Sequence, residues 1–286
     1  MIKHFNHAVV AITGAGSGIG RALAIRFAQE NCHLALSDLH LDSVEETKQI
    51  IQSKARFKDL KITCQKVDVS DQQQVFDWAK YVFDTHGKVN LIINNAGVAL
   101  SGTVAALEIK DYQWIMDINF WGVIYGTKAF LPYLEQSGEG HIVNISSVFG
   151  LTAQPFMSGY NASKYAVRGF TEALRQDLEI SNSVVSATCV HPGGIKTNIA
   201  QSARISEKLS KLTGKSSQDA TKEFEMTFLT SAEKAANTIF KAVKNNKRRV
   251  LIGPDSKLYD WSARLLPSSY QAIFTAVVRS RMAKKK

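Results

Sequence analysis

Short apolar runs alternate along this chain with longer stretches of helical spacing. Residues 8–13 (AVVAIT), 33–38, 62–69, 91–94 (LIIN), 140–146 (GHIVNIS), 184–190 and 249–252 read as seven strands. They are continuous Val/Ile/Leu runs rather than alternations, as expected of strands buried on both faces. Helical patterns separate them: residues 18–30, 43–53 with Asp42 or Ser43 as N-cap, 71–86, a stretch through Tyr160 to Glu179, and a helix from near Ser231. Strand and helix in alternation predict right-handed βαβ units, and so an α/β fold with a parallel sheet covered on both sides.

Two segments depart from this rhythm. Residues 200–230 are polar and weakly patterned, and an excursion of that length in a compact domain predicts a helical insertion that serves as a lid or binding loop over a substrate. Residues 255–286 predict a C-terminal helical extension, split by Pro267. No boundary separates these from the rest, so residues 1–286 read as a single domain.

Composition narrows the classes. With 286 residues, 45% of them hydrophobic and 21% charged, the chain can bury a large core and is not a disordered or low-complexity protein. Cys32, Cys64 and Cys189 are too few and too scattered for a disulfide framework or metal cluster, and no His spacing suggests a metal site. No apolar run approaches the ~18 residues of a membrane span. The first residues lead straight into a strand, so a cytoplasmic location is expected. The net charge is +10, with basic residues gathered at 54–61, 244–249 and 284–286. No nucleic-acid motif accompanies them, so no nucleic-acid partner is expected. The last group adjoins Trp261, Leu265, Ile273, Phe274, Val277, Arg264, Arg279 and Arg281, a composition suited to peripheral contact with anionic lipid. Alternatively, those apolar residues cover the substrate pocket or a subunit contact.

The first strand ends in Thr13-Gly14-Ala15-Gly16-Ser17-Gly18-Ile19-Gly20 and a helix opens directly after it. Glycines there let backbone N–H groups approach a phosphate at the positive end of the helix. An acid, Asp38, closes the next strand. A carboxylate at that place accepts from the adenosine ribose hydroxyls and repels the extra phosphate of NADP. Its neighbours Ser37 and Leu39 carry no charge, so NAD is preferred over NADP.

Further signatures follow in order: Asn94-Asn95-Ala96-Gly97, Asn119, Ser146-Ser147, Tyr160-Asn161-Ala162-Ser163-Lys164, and Pro192-Gly193-Gly194-Ile195-Lys196-Thr197. Together with the glycine loop they resemble the short-chain dehydrogenase/reductase family in its compact single-domain form, over roughly residues 8–252. The resemblance implies a Rossmann-like, doubly wound sheet of seven parallel strands in the order 3-2-1-4-5-6-7. It implies that Asp68 and Val69 contact adenine, and that Asn95, Ala96 and Gly97 line the cofactor site. It places Pro192, Gly193 and Ile195 beside the cofactor, with Thr197 at the nicotinamide carboxamide. It also implies a homodimer or homotetramer through helices around 111–136 and 160–179.

Oxidising an alcohol moves a hydride to nicotinamide and a proton to a base. Tyrosine, with an ordinary pKa of about 10, becomes a usable base only beside a cation. Tyr160 and Lys164 are four residues apart and share a face if helical. Tyr160 is therefore the candidate acid/base and Lys164 the residue that lowers its pKa and, by resemblance, binds the nicotinamide ribose. Ser147 is the candidate for holding the substrate oxygen, with Ser146 the competing choice. Asn119 resembles the residue that holds a water in a proton relay to Lys164; alternatively it satisfies buried backbone groups. Phe149, Gln154 and Gly194 are the further candidates for substrate contact. The mainly apolar set suits a lipophilic secondary alcohol or ketone, such as a steroid or retinoid. Three other readings stand beside this one: an NADP(H)-dependent carbonyl reductase, a regulator that only senses the dinucleotide, and a sugar-nucleotide epimerase or dehydratase, against which the 286-residue length argues.

Overall fold

The computed structural model describes residues 2, 4–54, 56–57, 59–214, 216–226 and 228–283. The expected Lys284, Lys285 and Lys286 tail lies outside them. Seven strands form one parallel sheet: β1 (Val9–Thr13), β2 (His33–Asp38), β3 (Ile62–Lys66), β4 (Leu91–Asn94), β5 (Gly140–Ile145), β6 (Val185–Pro192) and β7 (Arg249–Ile252). Their order is β7-β6-β5-β4-β1-β2-β3, the Rossmann-like order expected. Ile12 sits beside Leu36 on one side and Ile93 on the other. Because successive side chains point to opposite faces, β1 serves two cores. Val10 and Ile12 pack with Leu23, Phe27, Ile239 and Phe240, while Val9 and Ala11 pack with Val75, Trp78, Phe130 and Leu134.

The helices follow from the same economy. On one face lie α1 (Gly18–Ala28), α2 (Leu41–Lys54) and α9 (Ala232–Lys244). On the other lie α3 (Gln72–His86), α5 (Gly122–Gln136) and α6 (Ser158–Ile180), with α4 (Ile109–Met116) between α3 and α5 in the chain. In α9 the buried positions Ala235, Ala236, Ile239, Phe240 and Val243 follow helical spacing. Asp71 caps α3 by accepting from the Gln74 N–H, and Ser231 caps α9 by accepting from Lys234.

Two expected boundaries are corrected. Helix α2 starts at Leu41, not Ser43, so neither Asp42 nor Ser43 is its cap. The chain is turned earlier, where Asp38 accepts from the His40 N–H and His40 accepts from the Ser43 N–H. Strand β3 stops at Lys66, which leaves Asp68 and Val69 in the turn that follows. The 200–230 segment carries two helices, α7 (Glu207–Thr213) and α8 (Ser217–Glu225), as expected of a helical insertion. Ser216 Oγ accepts from the Asp219 N–H and donates to its carboxylate, closing the start of α8. The extension forms α10 (Pro254–Leu265) and α11 (Tyr270–Ala283), parted at Pro267 as expected. Among the described residues no helix is long and apolar enough to cross a membrane.

Candidate active site

The site candidates converge beyond the carboxyl ends of the strands, where an open α/β sheet leaves a crevice. The glycine loop joins β1 to α1 and takes positive φ at Gly14 (64°) and Gly18 (53°). Gly20 permits the close approach of α1 to the loop, since a Cβ there would overlap the Gly14 carbonyl oxygen. Thr13 Oγ1 accepts from the N–H groups of Asn95 and Ala96, and the Asn95 amide donates to the carbonyls of Thr13 and Gly14. These bonds tie the loop to the end of β4. Ser17 precedes α1 without capping it through its side chain, and the first turn holds no acid. The first N–H groups of α1, from Gly18, Ile19 and Gly20, are thus left for an anion, as a dinucleotide pyrophosphate requires. The residues present fit such a group.

Asp38 Oδ2 accepts from the Gly16 N–H at 3.0 Å, so the acid braces the loop as well as facing the crevice. Arg21 also reaches this corner: it donates to the Gly16 carbonyl and pairs with Glu46 at 2.6 Å. Sequence adjacency to Asp38 does not disclose this cation, because α1 delivers it. Asp68 accepts from the N–H and hydroxyl of Ser70, and Val69 packs against Gly122. Thr197 lies against the loop, its Cγ2 3.0 Å from where a Gly18 Cβ would stand. A cavity of about 360 Å³ opens there between α1 and α9, lined by Ser17, Gly18, Arg21, Lys196, Thr197 and Asn237 among others. It flanks the loop rather than holding Tyr160.

Tyr160, Lys164, Ser147 and Asn119 do come together. Tyr160 and Lys164 project from one face of α6, with the Lys164 ammonium 5.6 Å from the centre of the Tyr160 ring. Ser147 hydrogen-bonds the Tyr160 hydroxyl. Ser146 turns elsewhere: its hydroxyl donates to the Lys164 carbonyl at 2.8 Å. Lys164 Nζ donates to the Ile145 carbonyl at 3.0 Å. The α-carbon of Gly97 faces this group, since a Cβ on it would lie 3.2 Å from Asn119 Oδ1 and 3.4 Å from Lys164 Nζ. Asn119 sits in a one-turn π-helix (Asp117–Trp121) between α4 and α5, not in a regular helix. Its Oδ1 accepts from the Val98 N–H, and its amide donates to the Val98 carbonyl and Ser163 Oγ.

Burial sets the protonation here and, against expectation, the Lys164 ammonium does not lower the Tyr160 pKa. Burial pushes the Tyr160 phenol up to about 12, opposed by the Ser147 hydrogen bond, and pushes Lys164 down to about 8. At neutral pH the phenol therefore holds its proton and the lysine is mostly charged.

Around Tyr160 the wall is apolar. Phe149 meets its ring edge-on at 5.7 Å, and Val98, Leu100, Met157 and Ile199 belong to the same cluster. Gln154 donates its amide to Thr152 Oγ1 and accepts from Asn161 at its carbonyl. Phe156 adopts φ of 64°, an uncommon conformation for a bulky residue, and its carbonyl accepts from Gly102. Tyr165 lies outside this group and hydrogen-bonds Tyr270 of α11. Lys196 and Arg204 are exposed, and Arg204 stacks on Trp114 at 3.6 Å.

Two residues near the site carry no motif. His191, buried at the end of β6, hydrogen-bonds the Ser147 carbonyl through Nδ1 at 3.0 Å. Burial pushes it down to about 4, so it is neutral and donates from Nδ1 to that carbonyl. Asp255, from α10, accepts from the Gly194 N–H at 2.6 Å. Gly-Pro-Asp announces a helix start in the sequence, but nothing local indicates a target 61 residues away.

A family model for short chain dehydrogenases matches residues 8–208. The chain is 44% identical over 278 residues to an oxidoreductase of Mycobacterium tuberculosis, SadH, with 97% of each covered. It is 32% identical over 282 residues to dehydrogenase/reductase SDR family member 7B of Xenopus laevis, covering 97% of this chain and 84% of that protein. A crystal structure of a short-chain dehydrogenase/reductase from Burkholderia phymatum, in complex with NAD, aligns with TM-score 0.81 and 28% identity over 93% of this chain and 97% of that one. The match spans sheet, crevice and the Tyr160–Lys164 pair alike, and on it this chain belongs to the short-chain dehydrogenase/reductase family of nicotinamide-dependent oxidoreductases.

Proposed function

We propose that this protein interconverts a lipophilic secondary alcohol and a ketone, with NAD(H) preferred over NADP(H). The observation that carries the reading is the Tyr160 phenol, hydrogen-bonded to Ser147, backed by Lys164 and set in an apolar wall. Bound NADH supplies the hydride for the carbonyl carbon. Tyr160 donates the proton to the carbonyl oxygen, so that C=O becomes CH–OH. Ser147 holds that oxygen by a hydrogen bond that strengthens as negative charge grows on it. Lys164 stabilises the phenolate left behind. Both Asn119 N–H donors are committed, which leaves the second lone pair of Oδ1 to hold a relay water on the Lys164 side.

In this proposal Gly14, Ser17, Gly18, Ile19 and Gly20 hold the pyrophosphate, Asp38 the adenosine ribose, and Asp68 and Val69 the adenine. Asn95, Ala96, Gly97, Pro192, Gly193, Ile195 and Thr197 line the remainder, and Lys164 holds the second ribose. Phe149, Gln154 and Gly194 contact substrate beneath the 200–230 lid. The NAD bound by the Burkholderia phymatum relative supports the choice of cofactor. A homodimer or homotetramer through α4, α5 and α6 belongs to the same reading, as does a cytoplasmic setting that keeps the three thiols reduced.

The test is titration of protein fluorescence with NADH and NADPH, followed by a panel of hydrophobic ketones. Tyr160→Phe is expected to abolish turnover and leave the NADH dissociation constant within about twofold. An active Phe variant removes Tyr160 from its role. Tight NADH binding without turnover of any ketone by the unmodified protein favours the dinucleotide-sensing regulator.

A further inference from the structure

Four segments meet at the peptide of Gly194. Its N–H is held by Asp255 Oδ2 at 2.6 Å. Its carbonyl accepts from Leu229 at 3.0 Å and Thr230 at 3.1 Å, where the chain returns from α7 and α8. Thr230 then pairs in parallel with Ile195, the next residue along the turn. Gly193, one residue before, donates to the Ile252 carbonyl at the end of β7.

The carboxylate of Asp255 occupies space that side chains would otherwise fill. A Cβ on Gly193 would fall within the van der Waals radii of both its oxygens, and one on Gly253 would overlap Oδ1. Gly253 has φ of 98°, which no other residue takes easily, and it delivers Pro254 and Asp255 to the first turn of α10. Oδ1 is buried with no hydrogen-bond partner among the described residues. A carboxylate oxygen left so is costly in a folded protein. Helix initiation alone does not explain such a placement, since an acid in a first turn serves the helix equally well from solvent.

We infer that Asp255 is a positioning residue: through the Gly194 N–H it sets the turn that borders the reacting groups and the point at which the segment carrying α7 and α8 rejoins the sheet. The C-terminal extension is thereby tied to the turn at Gly194. A displaced Gly194 loosens both its neighbours at once, because its N–H shares a planar peptide with the Gly193 carbonyl and its carbonyl shares another with the Ile195 N–H. Substrate positioning then suffers while the proton donor on α6 stays in place.

The kinetic part of this inference rests on the proposed function; the rest does not. Asp255→Ala and Asp255→Asn are made in the full chain. Three quantities are measured: trypsin cleavage after Lys208 and Lys222, the NADH dissociation constant, and KM and kcat for acetophenone reduction. The Ala variant is expected to be cleaved about tenfold faster and to raise KM about tenfold, with kcat within about twofold. The Asn variant, whose amide oxygen still accepts from Gly194, restores both. A fall in kcat at unchanged KM and cleavage, or an Asn variant no better than Ala, overturns the inference. Should Asp255→Ala fail to fold, Asp255→Ser, too short to reach Gly194, takes its place in the same comparison. If the unmodified protein binds NADH but leaves acetophenone and the ketone panel untouched, the proposed function fails. Cleavage alone then decides, and equal rates for Ala and unmodified protein overturn the role of Asp255.

Discussion

Asp38 illustrates how much one carboxylate is asked to do. One oxygen accepts from Gly16 and the other from His40, so it shapes the glycine loop while presenting negative charge to the crevice. Replacement by Ala removes both effects, and only their ratio isolates the electrostatic one. Asp38→Ala is expected to weaken NADH binding and to lower the preference for NADH over NADPH by about tenfold, because a like charge no longer opposes the extra phosphate. Paired titrations with the two dinucleotides check this; an unmodified protein that already prefers NADPH refutes the argument. Tyr160, Lys164 and the Ser146-Ser147 pair were legible because a four-residue helical spacing and a fixed motif order survive in one dimension. Motif order put Ser147 ahead of Ser146, and the physical reason lies in how the strand end rotates into its 3₁₀ turn (Val148–Gly150). The partners of Arg21 were hidden: Glu46 and Thr47 lie on α2 and reach it only because α2 packs beside α1.

Among the elements, the pairing of α1 with α9 is what closes one face of the sheet. Phe240 of α9 lies with its ring 5.5 Å from that of Phe27 and 4.9 Å from that of Phe5, with the Arg26 guanidinium 3.9 Å from its centre. Phe240→Ala leaves a cavity there and is expected to cost about 3–5 kcal/mol, read as a lower urea midpoint at unchanged slope. A cost below about 1 kcal/mol would mean that α9 is not integral to this core. The strands were legible to within a few residues, because doubly buried strands must be continuous apolar runs. The start of α2 was not, since its turn is made by Asp38 and His40 upstream. Nor was the π turn at Asn119, where no residue type signals the extra residue per turn. The bounds of α7 and α8 were not legible either, since so polar a segment shows no apolar stripe.

At the scale of the whole molecule, α10 has its faces inverted. It docks through Ser256, Tyr259 and Asp260, the last paired with Arg249, while Leu258, Trp261 and Leu265 lie opposite and are 57–64% exposed. Lys257, Arg264 and Arg279 are exposed nearby on α10 and α11, in a chain of net charge +10. Two copies meeting through this face would oppose like charges, whereas an anionic lipid surface complements them. The full chain is expected to sediment with phosphatidylcholine vesicles containing about one-third phosphatidylserine, and not with phosphatidylcholine alone, with Trp261→Ser lowering the affinity about tenfold. Sedimentation with neither vesicle, together with a dimer that Trp261→Ser dissolves, would assign the face to a second copy instead.

By itself the sequence determined the class of fold, the glycine loop and its acid, and the Tyr160–Lys164 pair, because each is written in local patterns of burial and spacing. Tertiary structure alone decided the rest: the pairing of Arg21 with Glu46, the commitment of Asn119 to Val98 and Ser163, and the reach of Asp255 to Gly194. Each of these joins residues far apart in the chain, and such contacts follow from how helices pack on the sheet, which no short stretch of sequence encodes.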